Sequence, residues 1–233
     1  MTRKEYLKKL FEVYSLVSVL SENNECKVLR LRNKSTGKDL IARSLPQKIC
    51  AYEKLLTTNC ENISLIYECV DLDDGQIVLE EFISGITVAD VMKSGKYRYR
   101  GAKRVLTAVC NALSVLHDKG IVHRDIKPEN IMISDSGRVV LIDLNISRII
   151  SSAPKDTVVM GTVGYASPEQ LGVTASDART DIYAVGVLLN VMLTGKHPSE
   201  IIARGKAGKI VRKCTSVNPD ERYQSAEKLA CAL

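Results

Sequence analysis

The hydrophobic period of this chain changes once, near Gly85, and that change constrains its fold more than any other feature. Before it, apolar residues come in short runs at 14–20, 26–32, 40–45, 65–70 and 76–82, the lengths and composition of strands. Turn residues separate them: Ser35, Thr36 and Gly37 in one connection, and Asp73-Asp74-Gly75 as a hairpin signal in another. Only 51–57 reads as a brief helix in this part. Past Gly85, Val105, Leu106, Val109, Leu113 and Leu116 recur at helical spacing, and Gly120 sits where a C-terminal cap belongs. Residues 131–133 and 139–142 are short strands around Asp135-Ser136-Gly137. The stretch 181–194 is apolar on almost every side, which marks a buried helix, and Gly195 and Pro198 end it. A closing helix is predicted over 225–233. The pattern predicts an α+β protein in two lobes. A mostly antiparallel sheet occupies about 1–82, a connection about 83–86, and a mainly helical lobe about 87–233.

Composition narrows the class. The 233 residues are 45% apolar and 26% charged, which excludes a disordered, collagenous or coiled-coil chain. The longest apolar stretch, 182–189, is far short of the ~18 residues of a membrane span. No apolar signal-peptide core follows Met1, so a soluble cytoplasmic protein without a membrane segment is expected. The seven cysteines are odd in number and none is spaced C-x-x-C. Buried thiols in a reducing compartment are therefore expected, rather than a disulfide framework or zinc site. The net charge is +6. Lys93, Lys96, Arg98, Arg100, Lys103 and Arg104 form one acid-free basic run, and Arg204, Lys206, Lys209, Arg212 and Lys213 another. Such runs can bind nucleic acid or acidic peptide, but a solvated basic face is the plainer reading, and no nucleic acid is expected as a partner.

The chemistry concentrates in His123-Arg124-Asp125-Ile126-Lys127-Pro128-Glu129-Asn130, placed between a helix and a strand. Asp143 follows at the end of the next strand. Phosphoryl transfer needs a base near the attacking hydroxyl and oxygen ligands for the Mg²⁺ that bridges the phosphates. Asp125 can be that base. Asn130 and Asp143 can hold the metal through hard oxygens, and Lys127 can reach the transferred phosphate as a point charge. A single His-x-Asp would read as a polar loop bonding its own backbone; the full string with its spaced Asp does not.

This string resembles the catalytic loop of the protein kinase family, and the likeness extends over nearly the whole chain. Gly161-Thr162-Val163-Gly164-Tyr165-Ala166-Ser167-Pro168-Glu169 is similar to the end of a kinase activation segment, with Ser167 where Ala is usual. Asp181 with Gly186 resembles the buried helix that braces the catalytic loop, and Arg222 the partner of Glu169. Residues 77–82 resemble the strand entering the hinge. That likeness implies Leu79 as gatekeeper, with the Glu80 carbonyl and Phe82 N–H on the adenine edge. It also implies a two-lobed kinase fold, ATP and Mg²⁺ (or Mn²⁺) as cofactors, and a protein Ser/Thr hydroxyl as substrate. Lys127, two residues after Asp125, points to the Ser/Thr class. The minimal size, Asp-Leu-Asn-Ile-Ser-Arg at 143–148 and the compact C-terminal end are similar to small bacterial kinases, especially Firmicutes-type ones.

Three departures stand out. The place of the Gly-rich phosphate loop holds Ser21-Glu22-Asn23-Asn24-Glu25-Cys26, with no glycine to let backbone N–H groups approach phosphate. The strand lysine is replaced by Arg43, a planar fork in place of a compact ammonium. Its expected partner is Glu53, whose plain alternative is an exposed helix residue. The metal-binding tripeptide is Asp143-Leu144-Asn145. Leu144 can fill an apolar position beneath His123, and Asn145 tolerates positive φ.

An active Ser/Thr kinase is the leading reading. A pseudokinase serving as a nucleotide-binding or scaffolding module, and a small-molecule phosphotransferase, are the alternatives. The resemblance also implies regulation: Arg124 would receive a phosphate added to Thr157, by self-phosphorylation, while Thr162 would position substrate near Asp125 and Lys127.

Overall fold

The computed structural model describes residues 1–22, 26–149, 162, 164–171 and 176–233. The chain forms two compact units: 1–60 with 64–84, and 61–63 with 85–233.

The first unit opens with a helix, α1 (Arg3–Val13), whereas the only helix expected before Gly85 was the brief one at 51–57. Its start is fixed by a capping box, in which Thr2 accepts from the Glu5 N–H and Glu5 accepts from the Thr2 N–H. Five strands follow: β1 (Tyr14–Glu22), β2 (Lys27–Asn33), β3 (Asp39–Leu45), β4 (Ile66–Leu72) and β5 (Gly75–Glu81). They form one antiparallel sheet in the order β1-β2-β3-β5-β4. A helix of six residues, α2 (Cys50–Leu55), lies between β3 and β4. The register sorts the sheet's two faces. Leu29, Leu31, Leu40, Ala42, Ile77 and Leu79 share one face and pack with Leu10 of α1, where Tyr6, Leu7, Tyr14 and Leu72 join them. Ile41, Arg43, Val78 and Glu80 share the other, because Ile41 pairs with Glu80 and Arg43 with Val78.

The second unit begins with β6 (Gly85–Thr87) and α3 (Val88–Lys93), capped by a Thr87–Asp90 box. Helix α4 (Tyr99–Asp118) buries Val105, Leu106, Val109, Leu113 and Leu116, the predicted stripe, together with Ala102. Gly120 then takes φ +70° at the turn that follows. Strand β7 (Ile121–Val122) pairs with β10 (Arg148–Ile149), while β8 (Ile131–Ser134) and β9 (Val139–Leu141) join β6 in a three-stranded sheet. Ile63 bridges to Leu141, and the Asn62 side chain donates to the Val139 carbonyl at 2.9 Å. Helix α5 (Ala178–Thr194) is buried nearly all round and packs against α6 (Gly205–Cys214), while α7 (Ala226–Ala232) packs on α4. Where α5 meets α6, a Cβ on Gly186 would lie 2.2 Å from that of Cys214, so only glycine fits.

No helix among the described residues is long and apolar enough to cross a membrane. All seven cysteines are free. Cys110 and Cys214 are buried as expected, whereas Cys50 and Cys231 are exposed. The basic run after residue 92 is partly engaged within its own unit: Lys93 pairs with Asp90, Lys96 with Glu200, and Arg104 donates to the Gly137 carbonyl.

Candidate active site

In the first unit, the carboxylate that holds Arg43 is Glu80. Arg43 Nε donates to Glu80 Oε1 at 2.5 Å, and both side chains are almost fully buried, at 7% and 3% exposure. Ser64 Oγ donates to the other carboxylate oxygen at 3.3 Å. Glu53, the expected partner, instead accepts from Lys48 at 2.7 Å on the surface, and Lys48 also pairs with Asp71. The reason is geometric. Helix α2 has about one and a half turns, while register puts Glu80 on the same sheet face as Arg43. The same register corrects the reading of residues 77–82. Leu79 points into the core beneath α1, not to the Arg43 face, so it is no gatekeeper. The Glu80 main chain lies inside the sheet, opposite Ile41 on one side and Ile66 on the other, so it offers no free edge. The Phe82 ring carries the guanidinium of Arg30 at 4.0 Å from its centre.

In the second unit, the loop 123–130 is built on one buried carboxylate. Asp181, in the first turn of α5, is inaccessible to solvent. It accepts the main-chain N–H of His123 at 2.9 Å, that of Arg124 at 2.8 Å, and His117 Nε2 at 2.8 Å. Burial alone would raise its pKa. The His117 bond, the nearby histidines and the Arg124 N–H outweigh it, so the carboxyl stays below its ordinary range and ionised. Held this way, Arg124 takes φ +69°, a conformation that non-glycine residues rarely adopt. Gln170 locks it further, donating to the Arg124 carbonyl at 2.9 Å. His123 is fully buried, and burial lowers its pKa so that the ring is neutral. Its Nδ1 accepts from the Asp125 N–H, which leaves the proton on Nε2 to donate to the Ile142 carbonyl at 3.2 Å.

Asp125 is thereby presented with both oxygens engaged. Oδ2 accepts from Lys127 at 2.7 Å and from Asn130 Nδ2 at 2.8 Å, and Oδ1 accepts from the Thr162 hydroxyl at 2.6 Å. Lys127 Nζ donates to that same hydroxyl at 2.9 Å. Partial burial pushes the Asp125 pKa up. The bonds from Lys127, Thr162 and Asn130 overcome this and hold it below the usual carboxylate value. Asn130 also donates to the Asp125 carbonyl at 2.9 Å, so its amide hydrogens are committed and Oδ1 is the atom left for a cation.

Asp143 is tied to the same loop, since the preceding Ile142 N–H donates to the Asn130 carbonyl at 2.9 Å. The positive φ of this turn falls on Asp143, at +69°, and not on Asn145 as expected. The Asn145 N–H instead donates to Asp143 Oδ1 at 3.1 Å, closing a local turn, while Leu144 is buried. The amide oxygen of Asn130 and the carboxylate of Asp143 are hard donors that suit Mg²⁺. Among the described residues, no cluster of three or more His, Cys, Asp or Glu forms a separate metal centre.

Below the loop, Arg222 and Glu169 make a buried bidentate pair, with Nη1 to Oε1 at 2.6 Å and Nη2 to Oε2 at 2.9 Å. Thr180 donates to Glu169 Oε1 at 3.0 Å. Arg222 further donates to the carbonyls of Ser216, Arg179 and Val217.

The protein kinase domain family matches residues 13–230. The chain belongs to that family. Three similar curated proteins are bacterial. Serine/threonine-protein kinase PknB of Mycolicibacterium smegmatis is 31% identical over 67% of this chain and 29% of its own length. Serine/threonine-protein kinase D of Synechocystis is 30% identical over 86% of this chain and 44% of its own. A probable PknB of Corynebacterium glutamicum is 38% identical over 56% of this chain and 21% of its own. The chain thus spans less than half the length of these relatives.

Sequence reasoning about this kinase domain missed Glu80 as the partner of Arg43, and Gln170 as a brace of the catalytic loop. Alternation in β5 was the available signal for Glu80. A Gln next to Glu169 carries none. Thr157 with Ser151 and Ser152, and Asn23, Asn24 and Glu25 of the glycine-free loop, lie outside the described residues.

Proposed function

We infer that this domain is an ATP-dependent serine/threonine protein kinase acting in the cytoplasm, able also to phosphorylate itself. The observation that carries this reading is the Thr162 hydroxyl, which donates to Asp125 and accepts from Lys127. An aliphatic hydroxyl so placed occupies the environment that a substrate Ser or Thr hydroxyl needs at the moment of attack. Asp125 takes the proton as the hydroxyl oxygen bonds to the γ-phosphorus and the β–γ bridge bond breaks, releasing ADP. Its lowered pKa keeps it ionised and ready to accept. Lys127 balances the charge that develops on the transferred phosphoryl group. Asn130 and Asp143 would hold Mg²⁺ or Mn²⁺, which when bound would supply positive charge to the phosphates. Arg43 is proposed as a nucleotide-phosphate ligand. The one-residue shift in register moves the adenine-edge positions from Glu80 and Phe82 to Glu81 and Ile83. The lobes are proposed to correspond to about 1–82 and 87–233.

The test is transfer of labelled phosphate from ATP with Mg²⁺ to a generic protein substrate and to the chain itself, for wild type and Asp125→Asn. Asp125→Asn removes the base with little change in volume. The rate should fall about 10²–10⁴-fold while nucleotide binding is kept. Absence of transfer and of nucleotide binding in the wild type would overturn the kinase reading. Wild-type rates in Asp125→Asn would remove Asp125 as the base.

A further inference from the structure

We propose that Glu80 is the positioning residue for Arg43, taking over the anchoring role that the family resemblance assigned to Glu53. This rests on the kinase reading above, in which Arg43 contacts the nucleotide phosphates. Three observations carry it. The Arg43–Glu80 pair is buried and short, at 2.5 Å from Nε to Oε1, with Ser64 Oγ on the second oxygen. Both residues sit on neighbouring, paired strands and on the same face of the sheet. Glu53 is committed to Lys48, on an exposed surface of the six-residue helix α2.

The arrangement has a physical logic. A lysine ammonium has a single charged atom, so one carboxylate can hold it from any direction. A guanidinium is a rigid planar fork. Gripping it at Nε, the atom nearest the backbone, fixes the plane and therefore the direction in which the two terminal nitrogens point. Strand pairing sets the distance between Arg43 and Glu80, and α2 does not enter into it. The orientation of the phosphate-binding cation is thus a property of the sheet itself, and Glu80→Gln should disturb it where Glu53→Gln should not.

The experiment compares binding of ATP, ADP and adenosine to wild type, Glu80→Gln, Glu80→Asp and Glu53→Gln, with melting curves for each. Glu80→Gln should weaken ATP and ADP about tenfold or more, the scale of a lost charge-assisted hydrogen bond, and leave adenosine within about twofold. Glu80→Asp, which keeps the charge, should recover part of the phosphate-dependent affinity. Glu53→Gln, an exposed substitution, should bind ATP within about twofold of wild type. Equal loss of ATP and adenosine in Glu80→Gln would reduce Glu80 to a structural residue and overturn the proposal. Should Glu80→Gln not fold, Glu53→Gln decides: a tenfold loss of ATP affinity there would return the anchor to α2. A wild type that binds neither ATP nor adenosine would instead strike the kinase reading itself.

Discussion

Replacing Arg222 by Met tests the energetics of the second unit most severely. Arg222 is fully buried and carries five hydrogen bonds: two to Glu169 and one each to the carbonyls of Ser216, Arg179 and Val217. Met fills much of the volume but donates nothing. Glu169, at 4% exposure, would keep the Thr180 hydroxyl as a donor and lose its countercharge. Breaking a buried ion pair from one side costs about 3–5 kcal/mol. At about 2–4 °C per kcal/mol for a domain of this size, the melting temperature should fall by about 6–20 °C. The dependence on pH gives the loss a signature. In the wild type the folded-state pKa of Glu169 is lowered: burial pushes it up, and the Arg222 bond more than compensates. The pair therefore stabilises the fold above the ordinary carboxyl value near 4.5 and loses this as pH falls through the lowered value. In Arg222→Met the countercharge is gone and only the Thr180 and main-chain bonds still oppose burial, so the folded pKa rises from its lowered value, and the penalty is greatest at neutral pH and relieved in acid. The gap between the two melting curves should be widest near pH 7 and should shrink below about pH 4.5. Circular dichroism melts from pH 3.5 to 7.5 measure it. A fall of less than 3 °C at pH 7, or a gap independent of pH, would refute this account of the pair.

Two further outcomes follow from the geometry. Asp143→Asn keeps a residue that tolerates φ +69° and removes only the charge; ATP affinity measured with and without Mg²⁺ should lose most of its metal dependence, and an unchanged dependence would remove Asp143 from the metal site. Gly186→Ala forces a methyl to 2.2 Å from Cys214 Cβ, which should destabilise by about 1–3 kcal/mol in urea melts. Cys214→Gly, which deletes the clashing atom, should rescue it, whereas Cys214→Ala should not.

What was legible in the sequence was what lies close together along the chain. The loop 123–130 carries Asp125, Lys127 and Asn130 within eight residues, and one helix residue, Asp181, braces it through two consecutive N–H groups. Local order also revealed β1 to β5, β8 and β9, each a single apolar run, but not the two- and three-residue strands β6, β7 and β10. The α1 helix was missed because its capping box, Thr2 to Glu5, precedes a stretch of mixed polarity with a single buried residue, Leu10. The partner of Arg43 was misplaced for a different reason. The family resemblance implied Glu53, ten residues on, but the contact is with Glu80, thirty-seven residues away. Only strand register reports that, and a shift of one residue exchanges the two faces of a strand. Leu79 and Glu80 were therefore read on each other's faces. The positive φ at Asp143, in place of Asn145, is likewise set by main-chain bonds between loops, which residue preference alone does not specify.

The two buried ion pairs of this domain follow the same rule in different settings. Arg222, at the end of the short helical turn Pro219–Glu221, and Glu169, in the turn Pro168–Leu171, join those two turns through a bidentate fork, with Thr180 and three carbonyls completing the shell. Arg43 and Glu80 join adjacent strands through a single nitrogen, with Ser64 on the free side of the carboxylate. In each case the carboxylate is held by a hydroxyl as well as by the guanidinium, which is what burial of a charge demands when water cannot reach it. The exposed Lys48–Glu53–Asp71 cluster meets no such demand, because solvent screens all three groups. That contrast locates the structural charges of the first unit in its sheet. Arginine suits this position better than lysine because its neighbour comes from the side, along the sheet, and Nε is the donor that faces sideways. The arginine at residue 43 and the carboxylate at residue 80 thus form one buried unit set by strand pairing.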